Sequence, residues 1–204
     1  MSSDASLAVA PSAYEQPEPE AYEERAYGFW LFLMGDAILF ALLFMTYMVM
    51  AGNTAGGPAG KDLFDLSNTF TETMVLLFSS ITFGFATLAM KAGHRGALLA
   101  WMFVTVLLGA SFVGLEYREF TGMIAQGAGP DRSGFLSAFF TLVGMHGLHV
   151  SFGLAWILIM ASQVVVKGLT VPVVSRVSRL ALFWHFLDII WVAIFSVVYL
   201  PGIL

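Results

Sequence analysis

An all-α, polytopic membrane protein folded as a five-helix transmembrane bundle is the fold class this sequence predicts, and three observations predict it. Of 204 residues, 58% are hydrophobic and only 11% charged, with a mean hydropathy of +0.82, whereas soluble domains carry about 25% charged residues. Crossing a hydrocarbon layer of roughly 30 Å takes about 20 helical residues at about 1.5 Å each, and five stretches meet that length. Polar, Gly/Pro-rich or basic segments separate the five stretches. The expected organisation is a flexible acidic tail over residues 1–25 and a transmembrane domain over 26–204, with spans near 27–50, 69–90, 97–115, 136–166 and 177–200.

In chain order, the tail is rich in Ser, Ala, Pro and Glu, as in YEQPEPEAYEER, and offers too little apolar surface to offset the entropy of ordering. Its acidic start lacks the basic n-region of a secretory signal. The first span is interrupted by Asp36 in WLFLMGDAILF, and the loop after it, AGNTAGGPAGKDLFDLSN, carries turn chemistry. The second span opens on a T-x-x-E pattern, Thr69 to Glu72, which predicts a capping box. A short basic turn, KAGHRG, leads into the third span, and YREFTGMIAQGAGPDRSG reads as the next connection. The fourth span has no charged residue from Ser133 to Val166, too long for one level crossing and too short for two. A tilted helix projecting past the bilayer accommodates it. KGLTVPVVSRVSR reads as a basic loop before the fifth span, which Asp188 interrupts in FWHFLDIIW.

Charge and cysteine content exclude whole classes of function. Residues 1–25 hold six acids and one base, which accounts for the net charge of −5, because the eight acids and eight bases of the remainder cancel. With an acidic pI near 5.2 and no basic run, there is no electrostatic footprint for nucleic acid. The absence of cysteine removes thiolate chemistry, disulfides, iron–sulfur clusters and cysteine-ligated metals. Orientation follows from Lys and Arg, which stay cytoplasmic when they flank spans. Arg25, Lys91, Arg95, Lys167, Arg176 and Arg179 lie on one face and Lys61, Arg118 and Arg132 on the other, predicting a cytoplasmic amino terminus and a periplasmic carboxyl terminus. Tyr27, Trp30, Tyr47, Trp101, Tyr117 and Tyr199 sit near span ends, where interfacial rings belong.

The informative residues are polar ones inside the membrane, where a charge at the bilayer centre costs about 2.5 to 3.5 kcal/mol on insertion scales. Counting from span centres places Asp36, His149 and Asp188 within about 3 to 5 Å of one depth, and puts Glu72 and Glu116 in a second layer close to headgroups and water. His146 and His149 share one helix face, as do His185 and Asp188. Two readings compete: a proton path or metal site across the last two spans, or interhelical hydrogen bonding of modest strength that fixes packing. Haem on His149 and His185, and hydrolysis by Ser133, which lacks a nucleophile elbow, have less support. Gly28, Gly35, Ser79, Ser80, Gly109, Gly114, Gly147 and Gly153 are expected close-packing positions, and Trp184 and Trp191 packing residues.

The segments FWLFLMGDAILFALLFMTY, LLFSSIT, GLEYREF, GMHGLHVSFGL and FWHFLDIIWVAIFSVVYL, in that order, resemble subunit III of the haem–copper respiratory oxidases over nearly everything after the tail. HGLHV followed some 35 residues later by WHFLD is a specific combination, and GNTAGGPAGKDLFDL with GPDRSGFLSAFF looks like the quinol-oxidising cytochrome bo branch. The resemblance implies a non-catalytic subunit with no cofactor-binding or metal residues of its own. Haem, copper and quinone would belong to a partner, subunit I, which reduces oxygen to water and pumps protons in aerobic respiration. This chain would pack directly on subunit I and other subunits, support assembly and stability, and associate with phospholipids and the surroundings of proton uptake, in a bacterial inner membrane. Asp36, Glu116, His146, His149, His185 and Asp188 are the expected buried polar network, with Glu116, His149, His185 and Asp188 matching the family pattern. Larger members have seven spans and a Glu at the place of Asp36, so this five-span chain lacks one wall of their lipid-holding cleft. The rival readings are a free-standing proton-coupled transporter using Asp36, His149 and Asp188, a cytochrome c oxidase subunit III, and a haem-binding electron-transfer protein.

Overall fold

The computed structural model describes residues 19–203. Its helices are α1 (Pro19–Met50), a short α2 (Gly60–Leu63), α3 (Leu66–Lys91), α4 (Arg95–Ala125), α5 (Gly134–Lys167), α6 (Val171–Ile194), a π-helical turn (Phe195–Tyr199) and α7 (Leu200–Ile203). Five helical stretches are long and apolar enough to cross a membrane: Tyr27–Met50, Leu66–Lys91, Arg95–Ala125, Gly134–Lys167 and Val171–Gly202. The chain is therefore an all-α, multi-pass membrane bundle. Successive spans run antiparallel, because their connections are short. The most extensive packing is between α3 and α4, followed by α5 on α6, α4 on α5, α3 on α6 and α1 on α5.

One spacing rule builds the bundle. Apart from Thr73, which adjoins the seam, the buried positions are 69, 72, 76, 79, 83, 86 and 90 on α3, then 98, 102, 105, 109, 112, 116 and 123 on α4. On α5 they include 143, 146, 150, 153, 157, 160 and 164, and on α6 173, 177, 180, 184, 187, 191 and 194. Steps of three and four average 3.5 residues, the period of a left-handed seam, with helices crossing near +20°. On α1 the buried residues Leu33, Phe40 and Tyr47 recur every seven, and Asp36 falls on the same stripe. The opposite face of α1, including Tyr27, Leu31, Ile38, Leu42 and Met45, is open.

Several element boundaries differ from those the sequence predicts. The second span starts at Leu66, not at a capping box over Thr69–Glu72: Asp65 is the N-cap, and its carboxylate accepts from the Ser67 and Asn68 amides. Thr69 instead donates back to the Asp65 carbonyl at 3.0 Å. The third span does not end at 115 but continues to Ala125, because Glu116 and Glu119 turn inward and need not leave the helix to be accommodated. Gly127, at φ +76°, supplies the left-handed residue that ends it. Most of the segment expected as a basic loop before the fifth span is helical, since Pro172 lies in the first turn of α6, where its missing N–H is harmless. Only residues 168–170 separate α5 from α6, and Gly168 makes the turn at φ +70°. The expected tail at 1–25 falls mostly outside the described residues, and residues 19–25 belong to α1.

The two ends of the bundle are closed differently. At one end, the Arg95 guanidinium donates to the Val165 carbonyl in the last turn of α5, and Arg176 donates to Gln163 at 2.9 Å. Arg95 thereby satisfies a carbonyl that the end of α5 leaves open, whereas Arg176 bonds a side-chain amide. At the other end the first loop folds over the bundle. Gly60 packs so tightly on α7 that a Cβ would stand 2.8 Å from the Gly202 carbonyl. Phe64 from this loop stacks among Phe135, Phe139 and Tyr199 at centroid distances of 6.1, 5.0 and 4.8 Å.

Candidate functional site

The buried polar residues sort into three clusters, each joining different helices. The first links α1 to α5: His149 Nε2 lies 3.8 Å from Asp36 Oδ2. His149 Nδ1 is 2.7 Å from the Met145 carbonyl, which can only accept, so the imidazole carries its proton on Nδ1 and turns Nε2 to the carboxylate. Phe40 lies against the ring edge-on at 5.3 Å. The pair opens on a groove of about 200 Å³ lined also by Phe32, Leu148, Phe152 and Phe183.

The second cluster links α3 to α6. Ser80 Oγ is 2.7 Å from His185 Nδ1, and the hydroxyl lies beside Asp188 one turn on, whose Oδ1 has no hydrogen-bond partner. One residue away, Ser79 accepts from Trp184 Nε1 at 3.2 Å, and Thr73 accepts from Trp191 Nε1 at 3.1 Å. The Trp184 ring is seated between two glycines. A Cβ on Gly109 would stand 2.9 Å from its Cη2 and one on Gly153 3.0 Å from its Cζ3.

The third cluster joins α3, α4 and the π turn. Glu72 and Glu116 are 0% and 4% exposed, and each leaves Oε2 without a hydrogen-bond partner. Glu72 accepts from Asn68 at 3.0 Å, Tyr199 donates to Glu119 at 3.2 Å, and the three carboxyls stand within electrostatic range of one another. Glu116 packs on Gly147, where a Cβ would stand 2.6 Å from its Oε1. The wider π turn presents the hydroxyl of buried Tyr199 to α4.

The six residues expected as one network are thus distributed. Asp36 and His149 come together, and His185 and Asp188 come together, but the two pairs engage different helices. His146 is fully buried with both ring nitrogens unpartnered, stacked on Trp191 at 5.3 Å. Glu72 and Glu116, expected close to headgroups and water, are buried inside the bundle. Glu119 and Thr73 also take part, and sequence reasoning passed over them; Ser80 and Tyr199 take part too, where it expected close packing and an interfacial ring. Glu119 was detectable from its i+3 spacing to Glu116, which puts both on one face. Tyr47 and Tyr199, expected at the interface, are 5% and 0% exposed, while Tyr27 and Tyr117 are 67% and 69% exposed. Of the expected close-packing glycines, Gly28, Gly35 and Gly114 have nothing within 4 Å of the point where a Cβ would stand, whereas Gly109, Gly147 and Gly153 have close neighbours there. Ser133 is the N-cap of α5, accepting from the Leu136 amide at 3.2 Å, so its hydroxyl has a structural task. Among the described residues no group of three or more His, Asp or Glu is arranged to hold a metal ion.

Five spans packed around buried polar side chains define a polytopic helical membrane protein. Residues 20–203 match the family described as cytochrome c oxidase subunit III, and the chain belongs to that family. It is 55% identical over 178 residues to cytochrome bo(3) ubiquinol oxidase subunit 3 of Pseudomonas aeruginosa, covering 87% of this chain and 85% of the relative. The protein of the same name from Pseudomonas putida is 55% identical over 177 residues, covering 87% and 86%. Cytochrome c oxidase subunit 3 of Bacillus sp. strain PS3 is 43% identical over 192 residues, covering 94% and 93%.

Proposed function

We propose that this chain is the non-catalytic subunit III of a proton-pumping quinol oxidase in a bacterial inner membrane. The observation that carries the reading is the 55% identity, over nearly the whole bundle, to two relatives named as ubiquinol oxidase subunits. Haem, copper and quinone then reside in subunit I, against which this chain packs, with phospholipid in the grooves between. The open apolar face of α1 supplies a surface for such packing. The basic residues in 91–95 and 167–179 support a cytoplasmic amino terminus.

In this reading Asp36, Glu116, His146, His149, His185 and Asp188 hold the bundle in the shape its partner requires. Their pairing supports that role over a transport relay through Asp36, His149 and Asp188, because His185, on the same helix face as Asp188, is bonded to Ser80 of α3, while Asp36 and His149 pair between α1 and α5. The test is to tag the chain, extract the native membrane in mild detergent, and record the haem content, subunit masses and electron donor of what co-purifies. A haem-bearing larger partner that oxidises quinol is the expected result. Oxidation of cytochrome c by the same complex would move the chain to the cytochrome c oxidase branch, and a chain that emerges alone and colourless would overturn the reading. Asp188→Leu and His185→Leu should lower assembly or sustained turnover while leaving haem reduction in the surviving complex intact.

A further inference from the structure

The polar groups that serve helix packing in this bundle are satisfied in pairs: Ser79 with Trp184, Thr73 with Trp191, Thr82 with Thr105 at 2.8 Å. The buried ionisable groups are different: Asp36 Oδ2, Asp188 Oδ1 and both ring nitrogens of His146 have no hydrogen-bond partner, and among the described carboxyls only the glutamates stand together as a cluster. Glu72 Oε2 and Glu116 Oε2 are buried with no partner, although both residues occupy seam positions that a small or apolar side chain would fill. Three carboxylates in mutual electrostatic range in an apolar bundle cannot all be ionised without a cation, and neighbouring carboxyl groups under such conditions share protons. The groups facing them are Tyr199 from the π turn, and Asp65 and Arg118 near the mouth described below.

The cluster also has an outlet. A cavity of about 240 Å³ where α3 begins and α4 ends is lined by residues that include Asp65, Asn68, Arg118, Glu119 and Gln126, many times the space of at least 10–15 Å³ that one water needs. Glu119 belongs both to this wall and to the cluster, and Asn68 reaches from the wall to Glu72. Tyr199 donates to Glu119 from the inner side. This makes a graded series: a half-buried acid at the mouth, then two fully buried acids behind it.

We propose that Glu72, Glu116, Glu119 and Tyr199 form a proton-holding site, in which three carboxyl groups share protons with water and exchange them with the aqueous phase through the cavity beside Glu119. Uptake transfers a proton from hydronium in the cavity to a Glu119 carboxylate oxygen, forming the carboxyl O–H and leaving water; release is the reverse. Glu72 and Glu116 retain their protons longer because they lie behind Glu119. The site belongs to this chain's own residues and stands whether or not the subunit reading does.

Infrared difference spectra of the protein, in whatever complex it is purified, test it. Wild type minus Glu72→Gln, Glu116→Gln or Glu119→Gln at neutral pH should isolate a neutral-carboxyl C=O band for each residue. In D2O the Glu119 band should shift before the Glu116 band. If these differences appear only in the ionised-carboxylate region, the proposal is overturned. Should a Gln variant fail to assemble, Tyr199→Phe decides: it removes no carboxyl, so a shifted Glu119 neutral-carboxyl band supports the site and an unchanged spectrum overturns it.

Discussion

Trp184 ties together four helices at a single ring. It comes from α6, donates to Ser79 on α3, and lies between Gly109 of α4 and Gly153 of α5. A methyl group at Gly109 would meet Leu154 Cδ2 at 2.8 Å, a flexible chain end, and also the Trp184 ring at 2.9 Å, a rigid indole that is 2% exposed and has no room to shift. Gly109→Ala is therefore expected to destabilise the detergent-solubilised protein by about 1 to 3 kcal/mol, as overpacking does, with a shift in tryptophan emission. Gly114→Ala, with nothing within 4 Å of its Cβ position, should leave both unchanged. The Asp36 and His149 side chains are 14% and 19% exposed and 3.8 Å apart. A double-mutant cycle with Asp36→Asn and His149→Gln should give a coupling near about 0.6 kcal/mol, typical of interhelical polar pairs in membranes; a value of several kcal/mol would mean that the pair is a rigid, dry ion pair.

At the level of single helices, the start of α3 separates two residues that look alike in sequence. Asp65 caps the helix and Thr69 lies inside it, so Asp65→Ala should cost about 0.5 to 2 kcal/mol, the usual loss of an N-cap. Thr69→Ser, which keeps the bond to the Asp65 carbonyl, should cost far less, and thermal unfolding of the two variants side by side measures the contrast. The length of α4 follows from the same logic of partners. Charged residues near a span end normally signal a loop, but Glu116 and Glu119 have the core, Tyr199 and a cavity to face, so the helix carries them onward to Ala125. Helix-breaking glycines, not charges, end α4 and α5.

For the whole bundle, orientation is the property most directly open to measurement, because the chain contains no cysteine and single thiols can be introduced without background. Ala92→Cys in the α3–α4 turn and Gln126→Cys at the end of α4 are both exposed positions at opposite ends of the bundle. An impermeant thiol reagent added outside spheroplasts should label the Gln126 position and spare the Ala92 position until the membrane is opened. The reverse pattern would invert the topology. The open outer face of α1 belongs to this scale as well: Leu33, Phe40 and Tyr47 anchor it to the rest, and Phe40→Ala should loosen α1, raising protease sensitivity of the loop at 51–59.

Composition and spacing alone determined that this chain is a five-span helical membrane protein, and they singled out Asp36, Glu116, the histidines and Asp188 as the residues that a bilayer would not tolerate without partners. They did not show which face of each helix points inward. The reason is physical: lipid tails are as apolar as a protein core, so the contrast that marks the buried face of a soluble helix is missing, and Phe40 facing the bundle reads like Leu42 facing lipid. Polar residues mark the seam only where they fall on it. Pairing was decided by the tertiary structure, because whether Asp188 meets Asp36 or Ser80 depends on helix rotation and on neighbours more than 100 residues distant, as with Ser80 and His185. The burial of Tyr199 likewise depends on one π turn that shifts the helix phase just before it, a change that no periodicity in the sequence announces.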